Sequence, residues 1–348
     1  MEQALDKGKT TQRIDKGRRA KWWLRTGSKA SGFKYKDASG KKISDKALLE
    51  RIRSLVIPPA WKDVRICPSQ KGRVQAVGVD VGGRIQYLYD PSFTEKQKRK
   101  KFAKIEKFGK YLPKLIQATN KDLLLEGLPK ERVLAVVMRL INSLYFRIGT
   151  NHSEEHYKTY GITTLHKKHL TIGRKGKLEF DFVGKSHIQH RKILVDEELA
   201  AIVKEIASIG RGRKLFRYLD ENGKPHSVTP SQVNSYLKSN TDQQFSSKDF
   251  RTWRGTVLAA VELAEIGPGS SESETKKNIV QAVKKVAEEL GNTPAVCRGS
   301  YIHPAVLEAY ESGKTLEHFG HRRSRSIHGI QKGLEPEEVA LMKLFEKA

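Results

Sequence analysis

Cysteine is nearly absent: Cys67 and Cys297 are the only two in 348 residues. Two thiols so far apart form no disulfide framework. This excludes the small stapled secreted domains and leads us to expect reduced thiols in the cytoplasm. Long apolar runs are also missing. No stretch approaches the roughly 18 apolar residues of a membrane span. The N-terminus, with Lys7, Lys9, Arg13, Lys16, Arg18 and Arg19, has no apolar core of the signal-peptide kind. There is no G-x-x-x-x-G-K-[ST] phosphate loop, no dinucleotide fingerprint and no internal repeat. His152 and His156 stand at i and i+4, but the motif is not H-E-x-x-H and no third ligand is evident. The pairs His166/His169 and His187/His190 are no more convincing as metal sites. No nucleotide, metal or other cofactor is expected. Finally, acid is scarce. Asp+Glu number 39 against 66 Lys+Arg, for a net charge of +27. That excess points to a polyanionic partner (DNA, RNA or an anionic membrane), although a basic ribosome-associated factor would share it.

What is present reads as an α+β chain with two domains, long enough for a sizeable core. Residues 1–29 are polar, basic and aperiodic, and read as a mobile tail. Residues 30–93 read as a small sheet-rich domain. The strand patterns Gly32–Lys36, Trp61–Ile66, Val74–Val79 and Arg84–Tyr89 surround a short helix at Lys46–Val56, and Gly82-Gly83 signals a hairpin. In the last strand, alternation puts Ile85, Tyr87 and Tyr89 on one face and Gln86 and Leu88 on the other. Residues 94–110 carry eight lysines and arginines and are assigned to a basic linker or helix containing the domain boundary.

Residues 111–312 form a larger, mainly α-helical domain with β-hairpins. Pro129 opens a helix with Val133, Val137, Leu140 and Leu144 on one stripe; Gly149 reads as its C-terminal stop, which puts Arg147 in its last turn. His169–Ile172 and Lys177–Val183 form a hairpin, with Lys185 following Gly184 in a loop. Ser247 caps a helix over about 248–265. Phe250, Trp253, Val257, Val261 and Ala264 form its inner stripe, and Arg251 falls off that stripe near the positive N-terminal end. A helix from Ser271 stops at Gly291, and Pro304 starts another. Residues 313–348 read as a basic tail, with Arg322-Arg323-Ser324-Arg325 and a short helix from Pro336.

Taken singly, none of these basic residues stands out. An arginine near a helix end caps carbonyls, a lysine in a basic protein is solvated, and a tyrosine is usually a packing residue. Four segments gain meaning from their order: Phe146-Arg147-Ile148-Gly149, Phe182-Val183-Gly184-Lys185, Lys248-Asp249-Phe250-Arg251-Thr252-Trp253 and Gly291–Tyr301. Two arginines, a lysine, an amide and a tyrosine can hold a phosphodiester, bind its extra transition-state charge and attack it. Together with Gly83–Tyr89 and Ile57-Pro58-Pro59-Ala60-Trp61, these segments resemble the type IB DNA topoisomerases, closest to their bacterial and poxvirus-like branch. The resemblance spans residues 30 to 311.

It implies a monomeric, nucleoid-associated cytoplasmic enzyme that clamps double-stranded DNA. Tyr301 would form a 3′-phosphotyrosyl link, Arg147 and Arg251 would grip the non-bridging oxygens, and Lys185 would protonate the leaving 5′-oxygen. Arg84, Gln86, Tyr87 and Tyr89 would contact DNA. Many relatives have histidine where this chain has Asn292, nine residues before the tyrosine. Asparagine can donate an N–H to a phosphate oxygen but carries no charge. Two alternatives remain open at this point: a tyrosine site-specific recombinase and a non-catalytic architectural DNA-binding protein.

Overall fold

The computed structural model describes residues 14–15, 17–242, 244–320 and 333–347. The basic residues Lys7, Lys9, Arg13 and Lys16 and the Arg322–Arg325 cluster lie outside the described residues. The protein has mixed α+β structure and divides into two compact units that part between Lys101 and Phe102. The division falls inside one helix, Pro91–Leu123, so the basic 94–110 segment is continuous helix.

The first unit is built on a five-stranded antiparallel sheet in the order β2-β1-β3-β4-β5. Its strands are β1 (Trp23–Ser28), β2 (Gly32–Lys36), β3 (Lys62–Ile66), β4 (Val74–Val79) and β5 (Ile85–Tyr89). Period-two alternation decides what each face buries. One face carries Val64, Ile66 and Ala76 against Ile52 of helix α1 (Lys46–Ser54). The other carries Val77 and Val79 against Ile14. The assignment of residues 1–29 to a tail is therefore corrected at its C-terminal end. Trp23–Ser28 pairs with both β2 and β3, and Ile14 is fully buried. Its polar composition hid the strand: only Trp23 and Leu24 supply apolar side chains.

In the second unit, helix α3 (Lys130–Leu144) is buried along most of its length. Around it pack α6 (Pro230–Asn240), α7 (Ser247–Ile266) and a three-stranded sheet in the order β6-β7-β8. The sheet consists of β6 (Leu170–Ile172), β7 (Lys177–Val183) and β8 (Gln189–Val195). The sequence reading had only the first two of these strands. Helix α8 (Glu272–Leu290) lies against α7 and is followed by the short helices α9 (Pro294–Ser300) and α10 (Pro304–Glu311).

The C-terminal segment also departs from the tail assignment among its described residues. Helix α11 (Pro336–Lys347) buries Ala340, Leu341 and Leu344. The buried Trp253 indole donates to Glu338 Oε1 at 2.7 Å, which satisfies both polar groups away from water. Phe345 completes the contact, 4.6 Å from His303 between ring centroids.

Candidate active site

Two helix C-termini meet in the second unit, and two arginines fill the space between them. α3 ends at Leu144, capped by Tyr145 in the left-handed region (φ 56°). α8 ends at Leu290, capped by Gly291 (φ 58°). The terminal carbonyls of a helix have no intrahelical partner and carry partial negative charge. Arg251 satisfies one from each end, donating to Tyr145 O at 2.8 Å and to Leu290 O at 2.6 Å. Arg147 donates to Gly291 O at 2.8 Å and to Asn292 Oδ1 at 2.7 Å. Like charges can therefore pack side by side here. The cost shows in their acidity: burial, then the neighbouring Arg251, pulls Arg147 down to about 10. Arg251 is also lowered, with burial the leading cause and the Tyr301 phenol opposing it.

Three sequence expectations are corrected. Arg147 is not in the last turn of α3 but beyond it, because Tyr145 rather than Gly149 takes the left-handed cap. Its backbone is held instead by Ile162 N–H, which donates to Arg147 O at 2.8 Å. Arg251 is not a peripheral residue of α7; it is only 4% exposed. The start of α7 is set by Ser246, whose N–H donates to Asp249 at 2.8 Å, and not by Ser247.

Tyr301 closes α9 as its C-terminal cap, with its N–H on Cys297 O. Thr256 Oγ1 reaches Tyr301 O at 3.3 Å, tying the segment to α7. The Arg251 guanidinium carbon lies 5.4 Å from the Tyr301 ring centroid. Tyr310, the other tyrosine nearby in sequence, is 2% exposed. Its hydroxyl is consumed by Gly267 O at 2.6 Å and by Asn278 at 2.8 Å. It is a structural residue.

Asn292 is oriented by chemistry. Arginine has only donors, so the amide oxygen must face Arg147. That leaves Nδ2 buried beside the Cys297 thiol, a weak acceptor, with no oxygen or nitrogen partner among the described residues. Arg251 Nε is likewise a buried donor without a partner. Buried donors are rarely left unpaired, and only an acceptor can complete both. The corner has the polarity to hold an oxyanion.

Lys185 is not drawn into this cluster. It is exposed in the β7–β8 turn, where Ser186 and His187 both have positive φ (63° and 57°). The sequence reading missed two residues that do join the cluster, both on β8. His190 Nε2 lies 3.5 Å from Arg147 Nη1. Burial, then Lys192, Arg147 and Arg251, lowers it to about 4. Lys192 is pulled down to about 8 by burial, with Arg251 and Arg147 adding to the fall and Glu289 opposing it. Recognising β8 as a strand would have found them, since His190, Lys192 and Leu194 share its less exposed face.

In the first unit, β5 is an edge strand with Tyr87 and Tyr89 exposed, their rings 6.2 Å apart. Arg84 and Gln86 both turn back to Asp80, at 2.9 Å each. The four expected contact residues thus differ: two rings stand free of ion pairs, while the two polar side chains share a carboxylate. Among the described residues, no group of three or more His, Cys, Asp or Glu is placed to hold a metal ion, and no helix is long and apolar enough to cross a membrane.

Residues 90–324 match the family described as "Eukaryotic DNA topoisomerase I, catalytic core", and residues 32–80 match "Bacterial DNA topoisomerase IB, N-terminal domain". The chain is 30% identical over 271 residues to DNA topoisomerase 1B of Acanthamoeba polyphaga mimivirus, covering 76% of this chain and 80% of that protein. It is 23% identical over 251 residues to DNA topoisomerase 1B of Vaccinia virus (strain Western Reserve), covering 70% and 75%. To DNA topoisomerase 1 of Schizosaccharomyces pombe it is 26% identical over 193 residues, covering 54% of this chain and 22% of the relative.

Proposed function

The chain belongs to the type IB DNA topoisomerase family and is a DNA topoisomerase, and we propose that it relaxes supercoils through a transient single-strand break at Tyr301. The Tyr301 phenol gives up its proton to solvent water as its oxygen attacks a backbone phosphorus of duplex DNA. The bond to the 5′-oxygen breaks as the phosphotyrosyl bond to the 3′-phosphate forms. Arg147 and Arg251 hold the non-bridging oxygens, where charge builds in the pentacoordinate transition state. Asn292 Nδ2 adds a neutral donor to the same oxygens. Lys185 gives a proton to the departing 5′-oxygen as general acid. Religation reverses each transfer and returns the proton to Lys185. The phosphodiester energy stays in the covalent link, so religation needs no nucleotide.

The observation that carries this reading is the corner itself: two arginines at converging helix C-termini beside Tyr301, with two buried donors, Arg251 Nε and Asn292 Nδ2, that have no oxygen or nitrogen partner among the described residues. The exposed Tyr87 and Tyr89 supply DNA contacts from the first unit, and the two units act as a clamp around the duplex. The enzyme works as a monomer in the nucleoid-associated cytoplasm. The test is incubation with supercoiled plasmid in EDTA and without ATP. Stepwise relaxation of any plasmid is expected. Dependence on one particular sequence would instead favour a site-specific recombinase, and retardation without nicking an architectural protein.

A further inference from the structure

We propose that His190 is the positioning residue for Lys185: its imidazole is the spacer that sets the Lys185 turn against the Arg147–Asn292 corner. The inference rests on the role given to Lys185 above.

Two glycines carry it. Gly184 immediately precedes Lys185, and Gly291 immediately precedes Asn292. A Cβ added at Gly184 would come within 2.4 Å of His190 Cδ2. A Cβ added at Gly291 would come within 2.5 Å of His190 Cε1. No real contact is that short, so one ring fills the side-chain space of both glycines and touches both backbones. Its third side faces Arg147 at 3.5 Å, and its face lies on Phe182, 5.3 Å away between centroids at 31°. The ring is thus bounded by the segments that carry Lys185, Asn292 and Arg147. Lys185 itself is exposed on a turn with two left-handed residues, closed by the Gly184 N–H on Ile188 O at 2.8 Å and backed by the imidazole. The lowered pKa of His190 agrees with this: a neutral ring can sit among Arg147, Arg251 and Lys192, whereas an imidazolium would be repelled.

Single-turnover cleavage of a duplex, measured for His190→Ala, Lys185→Ala and the double variant, tests the idea. A displaced catalytic group costs on the order of 10²-fold, so His190→Ala should slow cleavage by about 10- to 10²-fold at unchanged duplex affinity. In the Lys185→Ala background the same change should add less than about 2-fold, because the group it positions is gone. Gly184→Ala approaches the contact from the other side, and if His190→Ala fails to fold it takes that variant's place in the cycle with Lys185→Ala, with the same expected and contrary outcomes. It should be harmful with the imidazole present and harmless without it, since Ile188 O at 3.6 Å is then the nearest obstacle. Losses that multiply in the Lys185→Ala background would overturn the proposal. So would a Gly184→Ala effect independent of residue 190. A substrate with bridging 5′ sulfur tests the underlying reading separately: failure to rescue Lys185→Ala removes the general acid, while the double-variant cycle still judges the positioning.

Discussion

The β5 edge of the first unit and the arginine corner of the second are built in opposite ways. On β5, Tyr87 and Tyr89 are exposed, with Arg19 over one ring and Phe93 beside the other. In the corner, Arg251 is nearly inaccessible, and every carbonyl it touches belongs to a helix end. Exposed groups can be reoriented by the ligand at small cost, so they suit affinity. Buried charges held by helix termini cannot be reoriented, so they suit a transition state whose charge appears at a fixed place. The difference predicts that substitutions on β5 change binding and substitutions in the corner change rate.

The largest departure should come from Arg251→Ala. One transition-state donor in such a site is worth about 10²–10³-fold, and Arg251 offers several with a charge, so cleavage should fall by about 10³-fold or more. Tyr145 O also loses its donor, at about 1–3 kcal/mol for a carbonyl left unmet, while Leu290 O keeps only the longer bond from Arg147 Nη2 at 3.4 Å. Single-turnover cleavage, duplex affinity and thermal unfolding should show a large rate loss, a lowered melting temperature and near-constant binding. A rate loss below about 10-fold would remove Arg251 from the chemistry.

Asn292→Ala should cost less, at or below about 10²-fold, because one neutral donor is removed. Asn292→His is the sharper variant. Its imidazole would be buried beside Arg147, as His190 is, and both effects favour the neutral ring. The cleavage rate should therefore gain a pH dependence below the free histidine value of about 6.5. A transition above that value would mean that the site at 292 is not cationic.

Smaller again, Tyr87→Ala or Tyr89→Ala should weaken duplex binding by roughly 5-fold, the scale of one hydrogen bond of about 1 kcal/mol. Cleavage at saturating enzyme should not change. A rate defect that saturation does not remove would break the division between the two regions.

The subtlest contrast is in acid. All 11 histidines lie C-terminal to residue 101. Burial holds His169, His190 and His303 near 4, below the free value. Between about 6.5 and about 4 the unfolded chain then binds more protons than the folded one, so stability falls as pH falls. The first unit has no histidine to lose stability by this route. Melting followed by tryptophan fluorescence should shift down from pH 7 to pH 5; an unchanged midpoint would show that these rings do not titrate on unfolding.

Period and punctuation made much of the fold readable in advance. The α3 stripe, the α8 stop at Gly291 and the β4–β5 hairpin follow from apolar spacing and glycine. The misses have physical causes. β1 and β8 are strands with mostly polar side chains, so alternation of hydrophobicity gave no signal. The docked α11 depends on Trp253 and Glu338, a pair 85 residues apart that local pattern cannot join. At the site, ordered motifs point to Arg147, Arg251, Asn292 and Tyr301, which the fold brings together, but not to the reason two arginines coexist. That reason is the meeting of two helix C-termini, which exists only in three dimensions.

The central claim is that the corner serves Tyr301. It is tested most directly by trapping end-labelled duplex on the protein with denaturant and mapping the linked residue by mass spectrometry, for the parent and for Tyr301→Phe. The account predicts one adduct, on Tyr301, lost completely in Tyr301→Phe while duplex affinity stays nearly unchanged. An adduct on any other residue, or one formed at parental yield by Tyr301→Phe, would contradict it.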